Sequence, residues 1–304
     1  LFLTGSDEHG DKIVRSAEKE NLSPQEFVDA KVRSFKELME ILNISNDDFI
    51  RTSDRERHWP GAMKLWNALV ESGDIYKDTY SGLYCVGCEA FITEKELVDG
   101  KCPHHDAKPE MIAEENYFFR LSKYAPELKR LIEEEWFKIT PKTRAHEILS
   151  FFGGDGGVAT LDDVSLSRPE RDISWGIPVP NDPEQLMYVW CDALSNYISA
   201  LGYGTEHVEK FRIFWPADVQ ILGKDILRFH ALLWPALLLS AKIQLPKELL
   251  VHGFVNSGGK KMSKTLGNVL DPKEFVDEYG VDALRYYLAR EVAPTEDWDL
   301  TREK

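Results

Sequence analysis

Three cysteines and a histidine pair lie close together in the first third of the chain, and their spacing constrains the fold more than any other feature. The pattern Cys85-x2-Cys88-x13-Cys102-x2-His105 places two metal-binding turns across a hairpin. Four soft or imidazole ligands suit tetrahedral Zn²⁺, and a site filled entirely by protein ligands is typical of structural zinc. His104 is the alternative to His105, and the two-residue spacing favours His105. The competing interpretation is a set of reduced surface cysteines beside an incidental histidine pair.

The segments on either side of this cluster show the alternation of strand and helix patterns that is typical of an α/β fold. Leu1–Gly5 is predicted as a buried strand, followed by a polar turn and a helix at Lys12–Glu20. The same alternation returns later in three predicted strands and a buried helix, namely Tyr188–Trp190, Arg212–Trp215, Glu248–Val251 and Ile226–Ser240. This alternation predicts a Rossmann-like, doubly wound parallel sheet with ligands at the carboxyl ends of its strands.

The composition changes near Tyr76, where short β-like pieces and turns replace the α/β pattern as far as Met187. We therefore predict an inserted domain at 76–187, with the zinc turns at 83–106, between two parts of the sheet domain at 1–75 and 188–254. A lysine-rich loop and a helical segment complete the chain at 255–304. Further helices are predicted at Gln25–Leu42, Pro60–Ser72, Ala125–Glu135, Pro272–Tyr279 and Val281–Arg290. Ser23 and Pro24 are expected to cap and start the first of them.

The composition narrows the class of protein. The chain has 304 residues and a net charge of −15, which argues against a protein that coats nucleic acid non-specifically. A tRNA partner at a local basic patch is not excluded by this charge. The longest apolar stretch, Ala231–Ala241, is too short to cross a bilayer, and no signal peptide is visible. We expect a cytoplasmic protein. The chain opens inside a strand without an initiator methionine, so we also expect an internal fragment of a longer protein.

Two glycines followed by lysines and hydroxyls form the most distinctive loop of the chain, Gly258-Gly259-Lys260-Lys261-Met262-Ser263-Lys264-Thr265. Such a loop can close positive charge over a polyphosphate, as phosphoryl or nucleotidyl transfer requires. The alternative is a solvated basic loop.

Two further clusters are candidates for a binding site. The run Asp7-Glu8-His9-Gly10 follows the first predicted strand, where it suits a metal site, an acid–base cluster or a helix cap. Aromatic residues recur around a second region, with His230 and Trp234 four residues apart on a predicted helix. Core packing is the alternative interpretation of that aromatic set.

The amino-acid sequences of these motifs resemble those of the methionyl-tRNA synthetases, a family of class I aminoacyl-tRNA synthetases. KMSKT differs by one residue from the class signature KMSKS, and the resemblance extends from Leu1 to about Trp298. It includes DEHG at Asp7–Gly10, GLYCVGCE around the first cysteines, EENYFFRL at Glu114–Leu121, YVWxDALxNY from Tyr188, and GKDIxxFHxLxWPA from Gly223.

The resemblance implies roles for individual residues. The methionine site would comprise Asp7, which holds the ammonium group, and an aromatic and apolar set of Trp190, Ala193, Leu194, Tyr197, Phe229, His230 and Trp234. ATP would contact Gly223, Asp225, His252, Gly253, Val255, Lys261, Ser263 and Lys264. Lys261 and Lys264 would stabilise the departing pyrophosphate and are the catalytic candidates. Zinc would be structural, and Mg²⁺ would arrive with ATP.

The implied reaction has two steps. The methionine carboxylate attacks the α-phosphate of ATP, and the methionyl group then passes to the 3′ end of tRNA(Met), including the initiator tRNA. The HIGH motif of the family would fall before Leu1 and the anticodon-binding domain after Lys304. Cys191 stands where the family has a bulkier apolar residue, and Phe151–Val164 is longer and richer in glycine than the family pattern.

Two alternatives remain open at this point. One is a class I synthetase for another amino acid, such as leucine, isoleucine, valine or cysteine. The predicted insertion of about 110 residues is too small for the editing domain of the branched-chain enzymes. The other is a zinc-knuckle protein that has lost catalysis and only binds tRNA or a protein partner.

Overall fold

A computed structural model describes residues 1–88, 90–103, 106–153, 161–170, 174–262 and 269–300. Within these ranges, the side chains of residues 80, 90, 91, 95, 114, 260 and 261 are not described. The described helices are α1 (Asp11–Lys19), α2 (Pro24–Ile41), α3 (Trp59–Glu71), α4 (Ala125–Glu133), α5 (Lys142–Ser150), α6 (Val189–Ser199), α7 (Glu209–Phe214), α8 (Trp234–Ser240), α9 (Pro272–Tyr279) and α10 (Val281–Glu291). None of them is both long and apolar enough to cross a membrane.

The described strands are mostly short. They are β1 (Leu3–Ser6), β2 (Asp48–Arg51), β3 (Ile75–Cys85), β4 (Ala90–Ile92), β5 (Glu110–Phe119), β6 (Lys138–Thr140), β7 (Val164–Ser165), β8 (Ser167–Pro169), β9 (Pro178–Val179), β10 (Asp182–Met187), β11 (Val219–Gly223), β12 (Glu248–His252), β13 (Val255–Ser257), β14 (Lys260–Lys261) and β15 (Trp298–Asp299).

Parallel strands occur in the two parts of the chain that were predicted to be α/β. β1 pairs with β2, and β12 lies between β11 and β6, all in parallel register. Parallel pairs need crossover connections, and the helices between these strands supply them. The α/β prediction is confirmed. The strand β6 comes from the segment predicted as an insertion, and the domain boundaries stay predictions.

The middle of the chain is antiparallel. β3 is paired along its length with β5, and the four-stranded sheet has the order β4-β3-β5-β7. A second, three-stranded sheet has the order β8-β10-β9. Cys85 is the last residue of β3, at the end of the sheet where β3 pairs with the start of β5. The sequence therefore folds as an α/β scaffold from which an antiparallel, cysteine-bearing sheet extends.

One large apolar core joins α3, α4, α6 and α8 to the parallel strands β11 and β12. Its largest fully buried side chains include Trp66, Phe119, Phe137, Phe152 and Trp234. The predicted start of α2 is confirmed by a capping box, in which Ser23 accepts from the Glu26 backbone and Glu26 bonds back to Ser23. α6 and α8, which carry the aromatic candidates, are thus fixed by the main core.

Two secondary-structure predictions were wrong. Arg212–Trp215 lies largely in α7, where Phe211 and Trp215 stack four residues apart with ring centroids at 6.2 Å. Tyr188–Trp190 is the start of α6 instead of a strand, because short apolar runs do not distinguish a buried strand from a buried helix. The predicted helix Ile226–Ser240 is confirmed, and it contains a π-helical turn at Phe229–Leu233 between a 3₁₀ turn at Lys224–Ile226 and α8.

The π-helical turn has an identifiable cause. Pro235 has no backbone N–H and therefore cannot continue the α-helical hydrogen-bond ladder through this point. The Trp234 N–H instead bonds the carbonyl of Phe229, five residues earlier. Such turns are frequent at functional sites because they re-aim the side chains on either side.

Candidate functional site

The carboxyl ends of parallel strands bring together four residues predicted to contact ATP. Gly223 ends β11 and lies opposite His252, which ends β12. A Cβ on Gly223 would approach Asp225 Oδ1 to 2.8 Å and the His252 ring to 3.6 Å. Gly253 is buried, and a Cβ there would lie 2.0 Å from the Glu296 carbonyl oxygen. Both glycines therefore allow close backbone approach, while Asp225 and His252 remain exposed beside them.

Two carboxylates in and just before β15 bind to residues at this edge of the sheet. Asp297 accepts from Lys224 Nζ at 2.6 and 2.7 Å and from the Phe254 backbone N–H at 2.9 Å. Asp299 accepts from the Gly259 backbone N–H at 2.9 Å. Gly258 and Gly259 have φ of 62° and 72°, a conformation that favours glycine. The base of the lysine-rich loop is thus held against the strand edge.

The lysine-rich loop itself is only partly described. The side chain of Lys261 is not described, and Ser263 and Lys264 lie outside the described residues. Their assignment to ATP stays a prediction from the sequence. Val255, the remaining ATP candidate, is the first residue of β13 and is partly exposed.

Five aromatic candidates form one cluster between α6 and the π-helical turn. The Trp190 and Phe229 rings stack with centroids 3.9 Å apart and planes 7° from parallel. His230 lies edge-on to Trp190, and Tyr197 contacts both His230 and Trp234 at centroid distances of 5.8 and 6.1 Å. Ala193 and Leu194 are buried on the same helix as Trp190 and Tyr197. The expected sharing of one face by His230 and Trp234 is confirmed, since both contact Tyr197.

A defined hydrogen-bond chain crosses this cluster. The Ile226 carbonyl accepts from His230 Nδ1 at 3.0 Å, so the proton lies on Nδ1. His230 Nε2 is then an acceptor, and the Tyr197 hydroxyl donates to it at 2.8 Å. Burial lowers the pKa of His230 to about 4, against a smaller opposing effect of the Ile226 carbonyl. Burial likewise raises the pKa of Tyr197 to about 12. Both groups are neutral near pH 7, so the slot suits an uncharged apolar side chain.

Three of the four predicted metal ligands converge. The Sγ atoms of Cys85, Cys88 and Cys102 all lie within 4.8 Å of one another, and Cys88 and Cys102 are 3.5 Å apart. No disulfide joins these cysteines. Cys85 ends β3, and the Asp106 N–H bonds the Cys102 carbonyl at 2.9 Å in the second turn. His105, the predicted fourth ligand, lies outside the described residues. The thiol set fits a soft metal ion such as zinc.

Asp7 is exposed at the end of β1, and the residues that follow it are buried. Glu8 accepts a two-nitrogen ion pair from Arg51 at 2.8 Å and hydrogen bonds from Ser6 and Ser53. The Glu8 carbonyl accepts from Trp175 Nε1 at 2.6 Å. The Glu8 carboxylate is therefore fully hydrogen-bonded by protein donors. This pairing accounts for its burial without a metal ion or an acid–base role.

Sequence reasoning missed a buried carboxylate at the centre of this region. Asp192 Oδ2 accepts from His9 Nδ1 and its Oδ1 accepts from His58 Nε2, both at 2.6 Å. The three side chains are 1%, 3% and 0% exposed, respectively. Burial would raise the pKa of Asp192, but the charges and hydrogen bonds of His9 and His58 lower it to about 2. The available signal was an acidic residue inside the apolar start of α6.

Parallel strand pairs, an antiparallel sheet that ends at a cysteine cluster and glycines at the strand ends agree with the predicted α/β class. The family model described as tRNA synthetases class I (M) matches residues 1–108 and 95–304. The chain therefore belongs to the class I tRNA synthetase family.

Three relatives within that family are each named for the same amino acid, methionine. The chain is 51% identical over 292 residues to a methionine–tRNA ligase of Caldanaerobacter subterraneus subsp. tengcongensis, covering 96% of this chain and 44% of that protein. It is 48% identical over 306 residues to the methionine–tRNA ligase of Brucella suis biovar 1, covering 99% and 58%. A crystal structure of Mycobacterium tuberculosis methionyl-tRNA synthetase bound by methionyl-adenylate matches with a TM-score of 0.92 and 42% identity, over 99% of this chain and 59% of that one. The chain spans about half the length of the curated relatives it matches.

Proposed function

We propose that the chain is the catalytic core of a methionine–tRNA ligase. It activates methionine with ATP to form methionyl-adenylate and pyrophosphate, and then transfers the methionyl group to the 3′ end of tRNA(Met), including the initiator tRNA. The observation that carries this proposal is the neutral aromatic cluster of Trp190, Tyr197, Phe229, His230 and Trp234, which we take to line the methionine slot. The relatives named as methionine–tRNA ligases support it.

The slot suits the methionine side chain for physical reasons. A thioether is apolar and polarisable, and sulfur–aromatic contacts favour it over an aliphatic chain of similar size. The Tyr197–His230 pair is neutral near pH 7, so charged side chains of similar length would be buried without a counter-charge. We assign Asp7 to the substrate's ammonium group, since an exposed carboxylate at a strand end can bind it directly.

ATP binds, in this proposal, at the carboxyl ends of β11 and β12. The nucleotide lies beside Gly223 and His252, and Asp225 faces its ribose. Gly253 allows the backbone at Glu296 to pack closely behind this site. Lys261 and Lys264 close over the phosphates and stabilise the departing pyrophosphate, together with the Mg²⁺ that accompanies ATP. No protein nucleophile is needed, because the methionine carboxylate attacks the α-phosphate directly. Positioning and electrostatics supply the rate.

Zinc has a structural role in this proposal. Cys85, Cys88, Cys102 and His105 hold it at the end of the sheet where β3 pairs with the start of β5, and no ligand position is left open for chemistry. We also propose the domain division at 1–75, 76–187, 188–254 and 255–304, and a cytoplasmic location. DNA and membranes are not among the proposed partners.

The proposal is tested by titrating the chain with methionine while following tryptophan fluorescence, with leucine and isoleucine as matched controls. Trp190 forms the wall of the slot, so occupancy by a thioether should quench its emission. Saturable quenching by methionine alone is the expected result. Equal responses to leucine or isoleucine would assign the slot to another amino acid, and no response to any of the three would contradict a methionine site in this chain.

A further inference from the structure

Two hydrogen bonds to one carboxylate fix which ring nitrogen donates in two buried imidazoles. A carboxylate can only accept, so His9 carries its proton on Nδ1 and His58 on Nε2. His58 Nδ1 faces the Ser199 hydroxyl at 2.8 Å, which ties His58 to α6 a second time. His9 Nε2 is buried and finds no hydrogen-bond partner among the described residues. The bond to Asp192 is therefore the polar anchor of the His9 side chain within that part of the structure.

The His9 ring is also confined sterically. Trp59 and Trp175 contact it edge-on, with centroid distances of 6.1 and 5.3 Å and interplanar angles near 60°. An imidazole held between two indoles and one carboxylate has a single orientation. The ring therefore also fixes the position of the loop that carries it, because the neighbouring residues Glu8 and Gly10 are buried as well.

The loop Asp7–Gly10 has anchors on two sides. Glu8 binds Arg51 on β2, and the Gly10 N–H bonds the Trp175 carbonyl at 3.2 Å. These contacts fix the loop relative to β2 and to the segment before β9. The His9–Asp192 bond connects it to α6, the helix that carries Trp190 and Tyr197. The loop and the pocket helix are 183 residues apart in sequence and are joined through this bond.

We propose that Asp192 is a positioning residue for amino-acid recognition. It sets the distance between the carboxylate of Asp7, which takes the ammonium group, and the aromatic slot on α6, which takes the side chain. The inference rests on the proposed function. Asp192 itself touches neither end of the substrate in this assignment; it acts through His9, two residues after Asp7. A small displacement of the Asp7 carboxylate from the slot should weaken its bond to the ammonium group, because charge-assisted bonds depend on distance and direction.

The test measures the affinity of Asp192→Asn for three ligands by fluorescence titration of this chain. Methionine and methioninol both have the ammonium group, and the desamino analogue of methionine lacks it. Asparagine keeps the size but offers an N–H₂ toward one of the two histidine N–H groups. We expect about a tenfold loss of affinity for methionine and methioninol and less than a twofold change for the desamino analogue.

A matched control separates positioning from general loss of stability. Asp74 is another buried aspartate, 1% exposed, and accepts from Lys123, Tyr124, Ser72 and Ser240 instead of a histidine. Asp74→Asn should lower the unfolding free energy without changing the affinity ratio between methionine and its desamino analogue. An Asp192→Asn variant that weakens all three ligands equally, or none of them, would overturn the positioning role.

Variants of His9 provide a second test if Asp192→Asn does not fold. His9→Asn keeps an N–H donor near the Nδ1 position and should retain methionine affinity better than His9→Leu, which has no donor. Equal affinities in these two variants would contradict the proposal. Failure of the wild-type chain to bind methionine at all would instead remove the proposed function, so the two failures are distinguishable.

Discussion

The Tyr197 hydroxyl donates a hydrogen bond to His230 Nε2 at 2.8 Å, and this bond holds the polar centre of an otherwise apolar slot. Its direction follows from the Ile226 carbonyl, which requires the proton of His230 to lie on Nδ1. Two helices are thereby fixed at one point, since Tyr197 belongs to α6 and His230 to the π-helical turn before α8.

Removing the hydroxyl should leave the ring nitrogen buried without a donor. We expect Tyr197→Phe to lower the unfolding free energy by about 1–2 kcal/mol and to weaken methionine binding. Urea unfolding and fluorescence titration measure the two effects. Tyr203→Phe, which changes another buried tyrosine outside the slot, is the matched control and should leave methionine affinity unaltered. Unchanged stability in Tyr197→Phe would show that the hydrogen bond contributes nothing in solution.

The depressed pKa of His230 predicts a pH dependence of stability. Its pKa is about 4 in the folded chain, below the value of about 6.5 for an unperturbed histidine. Its contribution is therefore fully present above pH 6.5 or so and is lost as the pH falls toward 4, because the unfolded chain binds the proton first. The total loss is about 3 kcal/mol. Urea unfolding at several pH values measures the unfolding free energy. Between pH 6.5 and 4 this free energy should fall less steeply with pH in His230→Gln than in wild type. Equal slopes would contradict the assignment.

Close packing at Gly253 predicts a specific effect of a single methyl group. A Cβ at this position would lie 2.0 Å from the Glu296 carbonyl oxygen and 2.5 Å from the Asp297 nitrogen, and both are backbone atoms. Gly253→Ala should therefore displace the segment that holds Lys224 and weaken ATP binding, by roughly tenfold or more. Isothermal titration with ATP measures it. Gly176→Ala is the control, because a Cβ there meets only the Leu186 side chain at 3.4 Å. Equal ATP affinities in the two variants would speak against this prediction.

The cysteine cluster predicts one zinc ion per chain. Metal analysis of the purified chain should find zinc at a stoichiometry of about one, and Cys88→Ser should reduce it strongly because three ligands hold structural zinc poorly. Cys191→Ala removes a cysteine that lies outside the cluster and should leave the zinc content unchanged. A chain that contains no zinc after purification in zinc-supplemented buffer would contradict the metal assignment.

The lysine-rich loop predicts a loss of catalysis without a loss of methionine binding. Lys264→Ala, in a chain of the relatives' full length, should raise the adenylation barrier by about 2–4 kcal/mol, the effect of removing one preorganised donor. Methionine-dependent exchange between ATP and pyrophosphate measures this step. Lys242→Ala changes a lysine outside the loop and serves as the control. Exchange at the wild-type rate in Lys264→Ala would exclude the proposed role.

The sequence by itself determined the features that depend on local spacing. The cysteine pattern predicted the convergence of Cys85, Cys88 and Cys102, and the alternation of strands and helices predicted the α/β scaffold. The cap at Ser23 was also readable, since a capping box involves residues only three apart. Motif wording predicted the aromatic slot, whose members the structure brings into contact.

Only the tertiary structure decided which distant residues meet. The bond between His9 and Asp192 closes 183 residues of chain, and no local pattern reports such a pair. The helical state of Phe211–Phe214 also depends on packing, because its aromatic residues suit a strand equally well, and the stacking of Phe211 on Trp215 favours the helix. Local propensity fixes many of the elements of this chain, whereas burial of polar groups against partners far away in sequence fixes the geometry of its site.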